Sequence, residues 1–371
     1  MVALTCPHQP HCPGCPRLAQ PGLPPDALAR LRALAESAGA PAPQLHSSPP
    51  TAFRYRARLA VRGRADAPKL GMFEAGSHRA VHIPRCLVHH PAINAVAARL
   101  REELARQRVP TYSDTAHAGI VRYAQLVVER ETERVQVTLV CNSESPEPIL
   151  PVLERLGPEL HGAWWNPNTD RTNTIMGSAF HHVLGEPHVR DRSGNAALFY
   201  PPGAFGQSNL VLASELAAEV RGFAEDGERV TELYAGVGAI GLGLAERVAS
   251  LDLNEIGAGS LRGLALGIEA LPELARAKVH AHAGSAADFA HLVEGRDFVI
   301  ADPPRKGLDA AVTRTLLATP PRRFAYVSCD IGSFERDAAA LLERFALRSL
   351  AAYDLFPHTE HLETLALFER R

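Results

Sequence analysis

Tyr326-Val327-Ser328-Cys329-Asp330 is a short apolar run that ends on a cysteine just ahead of a helix-forming stretch opening at Ser333. A free thiol has a pKa of about 8.5, so only a small fraction is thiolate at neutral pH, yet that fraction is strongly nucleophilic. A strand end is a rigid place from which to aim it. The same residue type also suits a core position at a sheet edge, so the weight falls on what other stretches could bring to it.

A second constellation is made of thiols. Cys6-x5-Cys12-x2-Cys15, set among Pro7, Pro10, Pro13, Gly14 and Pro16, is a helix-breaking loop able to fold three thiolates around one point. Cys86, in Ile83-Pro84-Arg85-Cys86, is the best fourth member, and such a site suits either structural zinc or an iron–sulfur cluster. Cys141 lies in an apolar strand and reads as structural. The N-terminus lacks a charged-then-apolar export pattern, which predicts a cytoplasmic chain and reduced thiols.

Two further stretches carry binding chemistry. Val230 to Gly241, reading VTELYAGVGAIG, is a strand running into a glycine loop and then a helix, the arrangement that lets a nucleotide-like cofactor approach backbone closely. That pattern fits nicotinamide, flavin and S-adenosylmethionine alike. A carboxylate at the end of the next strand would bind ribose hydroxyls, and Leu251-Asp252-Leu253-Asn254-Glu255 offers Glu255 or, less well placed, Asp252. Phe298 to Gly307 is a buried strand ending in Asp302-Pro303-Pro304, whose prolines stiffen a loop against which a flat substrate can rest. His358, His361 and Glu363 follow Pro357 without helical context and are not read as metal ligands.

The elements that must position these groups are legible as patterns. With 371 residues, 46% hydrophobic, the chain has room for two or three domains and ample core. A net charge of −2 argues against a surface that coats nucleic acid throughout, but leaves room for a local basic face. From Phe53, Tyr55, Ala57, Leu59 and Val61 alternate with Arg54, Arg56, Arg58 and Arg62, predicting a strand whose arginine face can grip a phosphate backbone without reading sequence. Pro25 to about Ala38 predicts an amphipathic helix, followed by a proline-rich linker through Pro50. Further helices are predicted over Pro91 to Gln107 and Asn209 to Ala224, and strands over Ile120 to Glu129 and Arg134 to Cys141. Trp164 and Trp165 can stack on bases, although core packing is the simpler role.

These stretches, with Phe205-Gly206-Gln207-Ser208-Asn209, Asp302-Pro303-Pro304-Arg305-Lys306-Gly307, Tyr326-Val327-Ser328-Cys329 and Phe356-Pro357-His358-Thr359 followed by His361 and Glu363, together resemble the RNA uracil-5-methyltransferase family. The resemblance runs over nearly the whole chain. The four cysteines and Ser77-His78 ahead of Cys86 are similar to ribosomal RNA members that carry a 4Fe-4S cluster, which favours iron–sulfur over zinc. Departures are Asp330, where many members have asparagine, and Ile331-Gly332 in place of a more usual Pro-x run. The extra N-terminal RNA-binding barrel of longer relatives is not seen, so the likeness is strongest to the shorter, cluster-bearing enzymes that act on 23S rRNA.

The resemblance implies a doubly wound α/β S-adenosylmethionine-dependent methyltransferase domain over residues 194–371. It implies a smaller, mostly β, cluster-bearing RNA-binding domain over 51–193, with the cluster loop at 1–17 and a helix and linker at 18–50 packing on the catalytic domain. Cys329 would add to carbon 6 of uracil and Glu363 would remove the carbon 5 proton. Gln207, Tyr234, Gly236, Glu255 and Asp302 would serve the cofactor, Cys6, Cys12, Cys15 and Cys86 would hold the 4Fe-4S cluster, and Arg54, Arg56, Arg58 and Arg62 would meet RNA. A monomer acting on 23S rRNA is expected. Transfer RNA as substrate, a non-catalytic RNA-binding protein on this fold and a cluster-bearing nicotinamide oxidoreductase are the alternatives.

Overall fold

The computed structural model describes residues 4–20 and 22–371; residues 1–3 of the expected cluster loop and Pro21 of the expected linker lie outside them. In chain order the elements are α1 (Pro25–Ser37), β1 (Gln44–His46), β2 (Arg56–Arg64), β3 (Ala67–Phe73), β4 (Ala80–His82), α2 (Pro91–Arg106), β5 (Val121–Val128), β6 (Val135–Cys141), α3 (Leu150–Leu153), β7 (Leu160–Pro167), β8 (His181–Gly185), β9 (Val189–Ser193) and β10 (Ala196–Tyr200). They continue with α4 (Leu210–Phe223), β11 (Arg229–Leu233), β12 (Ser250–Glu255), α5 (Ala258–Glu269), α6 (Glu273–Arg276), β13 (Val279–Ala283), β14 (Phe298–Ala301), α7 (Ala310–Ala318), β15 (Arg323–Ser328), α8 (Ile331–Leu341), β16 (Phe345–Tyr353) and β17 (Glu363–Arg370). The chain divides into two units. Of the described residues, one comprises 4–20, 49–191 and 201–203, and the other 22–48, 192–200 and 204–371.

The first unit is built on a seven-stranded sheet, ordered β4-β3-β2-β5-β6-β7-β8. All its neighbours are antiparallel except β6 and β7. α2 begins with Pro91, whose missing N–H is no loss in a first turn, and the His90 ring caps it by accepting from Ala92 N. Its apolar stripe of Ile93, Val96, Leu100 and Leu104 packs into one core with Leu59, Val61, Leu126 and Val137. Cys141 closes β6, fully buried, and burial pushes its thiol far up, as a structural role requires.

The second unit is an eight-stranded sheet ordered β1-β16-β17-β15-β14-β11-β12-β13. From β15 through β14, β11 and β12 to β13 the pairs are parallel, while β17 runs antiparallel between β15 and β16. The interior strands β14 and β15 are buried along their whole length, so they read as unbroken apolar runs. α1 belongs to this unit. Its Ala27, Leu31 and Ala35 join Phe334, Ala338 and Leu341 in one core, and Arg30 pairs bidentately with Glu335 at 2.9 and 2.5 Å.

Two expectations change. The proline-rich stretch after α1 is not wholly linker, because Gln44–His46 pairs in parallel with Ala351–Tyr353 as the edge strand of the sheet. Prolines confine a strand to an edge, and three residues between Pro43 and Pro49 are too short to show alternation. The helix expected after the glycine loop is reduced to a 3-10 turn at Gly241–Leu244. A Cβ at Gly241 would collide with Glu232 Oε2, so close approach rather than helix propensity sets this segment.

Candidate active site

Cys329 leaves the C-terminal end of β15, in the middle of the sheet. Ser328 pairs with Thr364 in the antiparallel β15–β17 ladder, so the next residues outward, Cys329 and Glu363, stand side by side at one end of it. Asp302 follows β14 on the other flank, where Ala301 is in register with Tyr326. Glu363 is 1% exposed and neither carboxylate oxygen has a hydrogen-bond partner among the described residues. Burial, with Asp302 beside it, pushes the Glu363 carboxyl well above the usual range, and burial raises Asp302 likewise. The Cys329 thiol is pushed up to about 11 by burial, Glu363 and Asp302, with the Arg305 guanidinium pulling the other way. Asp330 caps α8 by accepting from Ser333 N at 2.8 Å, so the helix starts two residues earlier than expected and the asparagine-to-aspartate departure leaves the cap intact.

The opposite flank, around β11 and β12, is shaped for a nucleoside. Tyr234 and Gly236 both take positive φ, 61° each, which turns the chain sharply after β11. A Cβ at Gly236 would meet nothing within 4 Å, so the loop faces open space there. Glu255, at the end of β12, accepts from Gly236 N at 2.8 Å through Oε2 and from Ile256 N at 2.8 Å and Gly257 N through Oε1, which ties it to the glycine loop. Asp252 is committed elsewhere, to His282 Nε2 at 2.7 Å and Arg296 at 2.9 Å. The Tyr234 hydroxyl donates to Asp309 Oδ2, tying the glycine loop to the loop after Asp302. Gln207 sits partly exposed two residues before Asn209, which caps α4 and donates to Ser48 Oγ at 2.9 Å. Phe205, 67% exposed, precedes it.

Sequence reading missed Glu232. This carboxyl is buried under the glycine loop, accepts from Gly241 N at 2.8 Å, and is pushed up to about 8 by burial, opposed by the Gly241 bond and reinforced by Asp302 and Glu255. The available signal was an acid inside the apolar strand that enters a glycine loop.

In the other unit, Cys6, Cys12, Cys15 and Cys86 are all partly buried free thiols. Burial, then the neighbouring Cys86, Cys12 and Cys6, push Cys15 up to about 11. Cys86 is raised by burial although its sulfur accepts from the Val88 and His89 backbone N–H groups, which favour a thiolate. Among the described residues no group of three or more His, Cys, Asp or Glu is disposed to hold a single metal ion.

The arginine face does not hold together as expected. Arg62 is 6% exposed, bound bidentately to Asp114 at 2.7 and 3.0 Å and set among the rings of Phe73, Tyr112 and Tyr123. Arg54 is partly buried beside Cys86 and Cys15. Arg58 is exposed and donates to Gln125 Oε1 at 2.9 Å, with Arg56 partly buried two residues before it. Alternation assigns residues to a face but not to the loop that later covers it. Trp165 is buried and stacked on His181, as core packing predicts.

Comparison with known proteins decides the family. The profile described as tRNA (Uracil-5-)-methyltransferase matches residues 290–371. An RNA methyltransferase of Protochlamydia amoebophila is 34% identical over 99% of this chain and 98% of its own length. The chain belongs to the RNA uracil-5-methyltransferase family. A second relative of this methyltransferase, an RNA methyltransferase of Bacillus cereus, is 29% identical over 89% of the chain and 73% of its own length. The Pyrococcus abyssi tRNA (uracil-54, C5)-methyltransferase, solved with S-adenosyl-L-homocysteine, shares the fold with a TM-score of 0.78 at 24% identity, over 97% of this chain and 86% of that one. In this uracil-5-methyltransferase the matched segment carries Asp302, Cys329 and Glu363.

Proposed function

We propose that this chain methylates carbon 5 of a uridine in 23S rRNA, with Cys329 as nucleophile and Glu363 as base. The observation that carries the reading is the placement of a thiol and an unpartnered buried carboxyl at the same end of the β15–β17 ladder.

Carbon 5 of uracil is a weak nucleophile. Addition of the Cys329 thiolate to carbon 6 forms a C–S bond and moves the double-bond electrons toward carbon 5 and the carbonyl at carbon 4. S-adenosylmethionine, when bound, supplies an electrophilic methyl for carbon 5. Glu363 then takes the carbon 5 proton, the double bond re-forms, and the C–S bond breaks to return the thiolate. A carboxylate stripped of water is more basic than one in solution, which suits removal of a carbon-bound proton. Glu255 suits ribose hydroxyls, the open face at Gly236 accepts close backbone approach, and Tyr234 and Asp302 hold the loops on either side. Gln207 offers both a donor and an acceptor to a uracil edge. A uridine stacked in folded RNA must be splayed out to reach Cys329.

In the other unit, Cys6, Cys12, Cys15 and Cys86 would hold a 4Fe-4S cluster rather than zinc, as the resemblance implies. A single zinc draws four sulfurs to within about 2.3 Å of one point, whereas a cluster spreads its cysteines over several irons. Cys15 is raised by Cys86, Cys12 and Cys6, and Cys86 by Cys12 and Cys6, so the four thiols lie within electrostatic reach of one another. When bound, the cluster ties the N-terminal loop to the segment after β4. Of the four arginines expected to meet RNA, Arg58 is the exposed one and would meet phosphate.

The test is transfer of labelled methyl to unmodified 23S rRNA and to transfer RNA, side by side, with wild type and Cys329→Ala. Label recovered as 5-methyluridine from 23S rRNA, and lost in the variant, is the expected result. Label only in transfer RNA would move the substrate to the other RNA class, and no label in either would return the chain to the binding-protein alternative. Anaerobically purified protein should contain iron and acid-labile sulfide in equal amounts; zinc alone would refute the cluster.

A further inference from the structure

The loop that follows β14 is pinned along its backbone. Gly307 N donates to Pro304 O at 2.8 Å, Arg336 donates to Lys306 O at 2.7 Å, and Leu308 N donates to Asp337 Oδ2 at 2.9 Å. Gly307 has φ 83°, and a Cβ there would collide with Asp337 and Arg336. The backbone at Arg305 is thereby set from beneath, while its side chain reaches sideways to donate from Nη2 to His361 Nε2 at 3.1 Å.

That hydrogen bond crosses a particular place. In the sheet, β15 lies between β14 and β17. Arg305 belongs to the loop after β14, and His361 stands two residues before β17. The link therefore spans the C-terminal end of β15, from which Cys329 emerges. A guanidinium can only donate, so His361 must present Nε2 as an acceptor and carry its proton on Nδ1. The imidazole is held by the edge-on Phe356 ring at 6.1 Å and 81°, and its backbone N donates to Thr359 Oγ1 at 3.2 Å.

We propose that Arg305 is a positioning residue whose guanidinium, strapped across the end of β15 by neutral His361, stabilises the Cys329 thiolate. The proposal rests on Cys329 being the nucleophile. Its need is electrostatic: burial, Glu363 and Asp302 all oppose the thiolate, and Arg305 is the cation that acts against them. His361 faces Arg305, with Asp330 and Glu360 drawing toward the protonated form. Burial and Arg305 prevail and hold the imidazole below its usual value, so it stays an acceptor at neutral pH. On protonation it would become a second donor facing a cation, and the strap would open.

The test is the rate at which iodoacetamide alkylates Cys329, read on its own peptide by mass spectrometry, across about pH 6 to 10. Arg305→Gln and His361→Leu should each slow alkylation near neutral pH by about three- to tenfold and displace the rising limb of the profile to higher pH. His361→Gln, which keeps an acceptor near the Nε2 position, should retain the wild-type profile. In urea the wild type and all variants should react alike. An unchanged profile in Arg305→Gln, or a shift in His361→Leu that Arg305→Gln does not share, would overturn the proposal. Alkylation needs neither RNA nor S-adenosylmethionine, so a failed methyl-transfer assay would defeat the proposed reaction without touching this result.

Discussion

Tyr234 and Asp309 exchange hydrogen bonds, the tyrosine hydroxyl donating to Oδ2 at 3.0 Å and accepting from the Asp309 backbone N–H at 3.2 Å. One residue opens the glycine loop and the other stands just before α7, so the pair fastens the glycine loop to the loop that begins at Asp302. Tyr234→Phe removes both bonds and leaves Asp309 N–H to seek water. A loss of about 1–3 kcal/mol is expected, seen as a lower Tm. Titration calorimetry with S-adenosyl-L-homocysteine should show weaker binding, because the loop carrying Gly236 is no longer held.

Glu363 is a carboxyl whose folded value is raised above its unfolded one, so the folded state holds a proton that the unfolded state releases. Stability from this group is complete below the unfolded value and falls as pH rises toward the folded one, by at most about 1.4 kcal/mol per pH unit. Glu363→Gln removes that loss. The Tm difference between variant and wild type should grow in the variant's favour as pH rises above about 5. The same raised values at Glu363 and Cys329 imply that methyl transfer by the wild type accelerates toward alkaline pH. If Glu363 is the base, RNA–protein adduct should accumulate with the variant on denaturing gels, since release would need a carboxylate that addition and methylation would not.

Asp330 caps α8 through its side chain. Asp330→Ala should cost about 1 kcal/mol in chemical denaturation, and Asp330→Asn should cost a few tenths at most, since both side chains accept from the Ser333 N–H. A large loss with asparagine would show that the charge, through its neighbours at His361 and Arg30, matters more than the cap.

Arg62 and Arg58 lie on one strand and should behave oppositely. Arg62→Ala removes a bidentate bond to partly exposed Asp114 and empties a ring-lined slot, so about 1–3 kcal/mol should be lost. Arg58→Ala should leave the unfolding free energy within about 0.5 kcal/mol of wild type. If β2 meets RNA, it should lower the salt slope of RNA binding by about one.

The sequence by itself determined the parts whose physics is local. An apolar strand ending in Cys329, a glycine loop after β11, the Asp302-Pro303-Pro304 turn and the period of α2 and α4 can each be read from a dozen residues, because backbone sterics and side-chain periodicity act over that range. So did the order of motifs that places the chain among RNA uracil-5-methyltransferases. Only the tertiary structure decided which residues share a place. β17 comes last in sequence and enters antiparallel beside β15, which brings Glu363 to Cys329 across thirty-four residues of chain. Residues 44–46 became an edge strand because β16 was there to pair with them. Arg62 turned inward because Asp114 and three rings cover its face. Each of these outcomes depends on a partner distant in sequence, and pairing energy between distant segments leaves no local trace in either one.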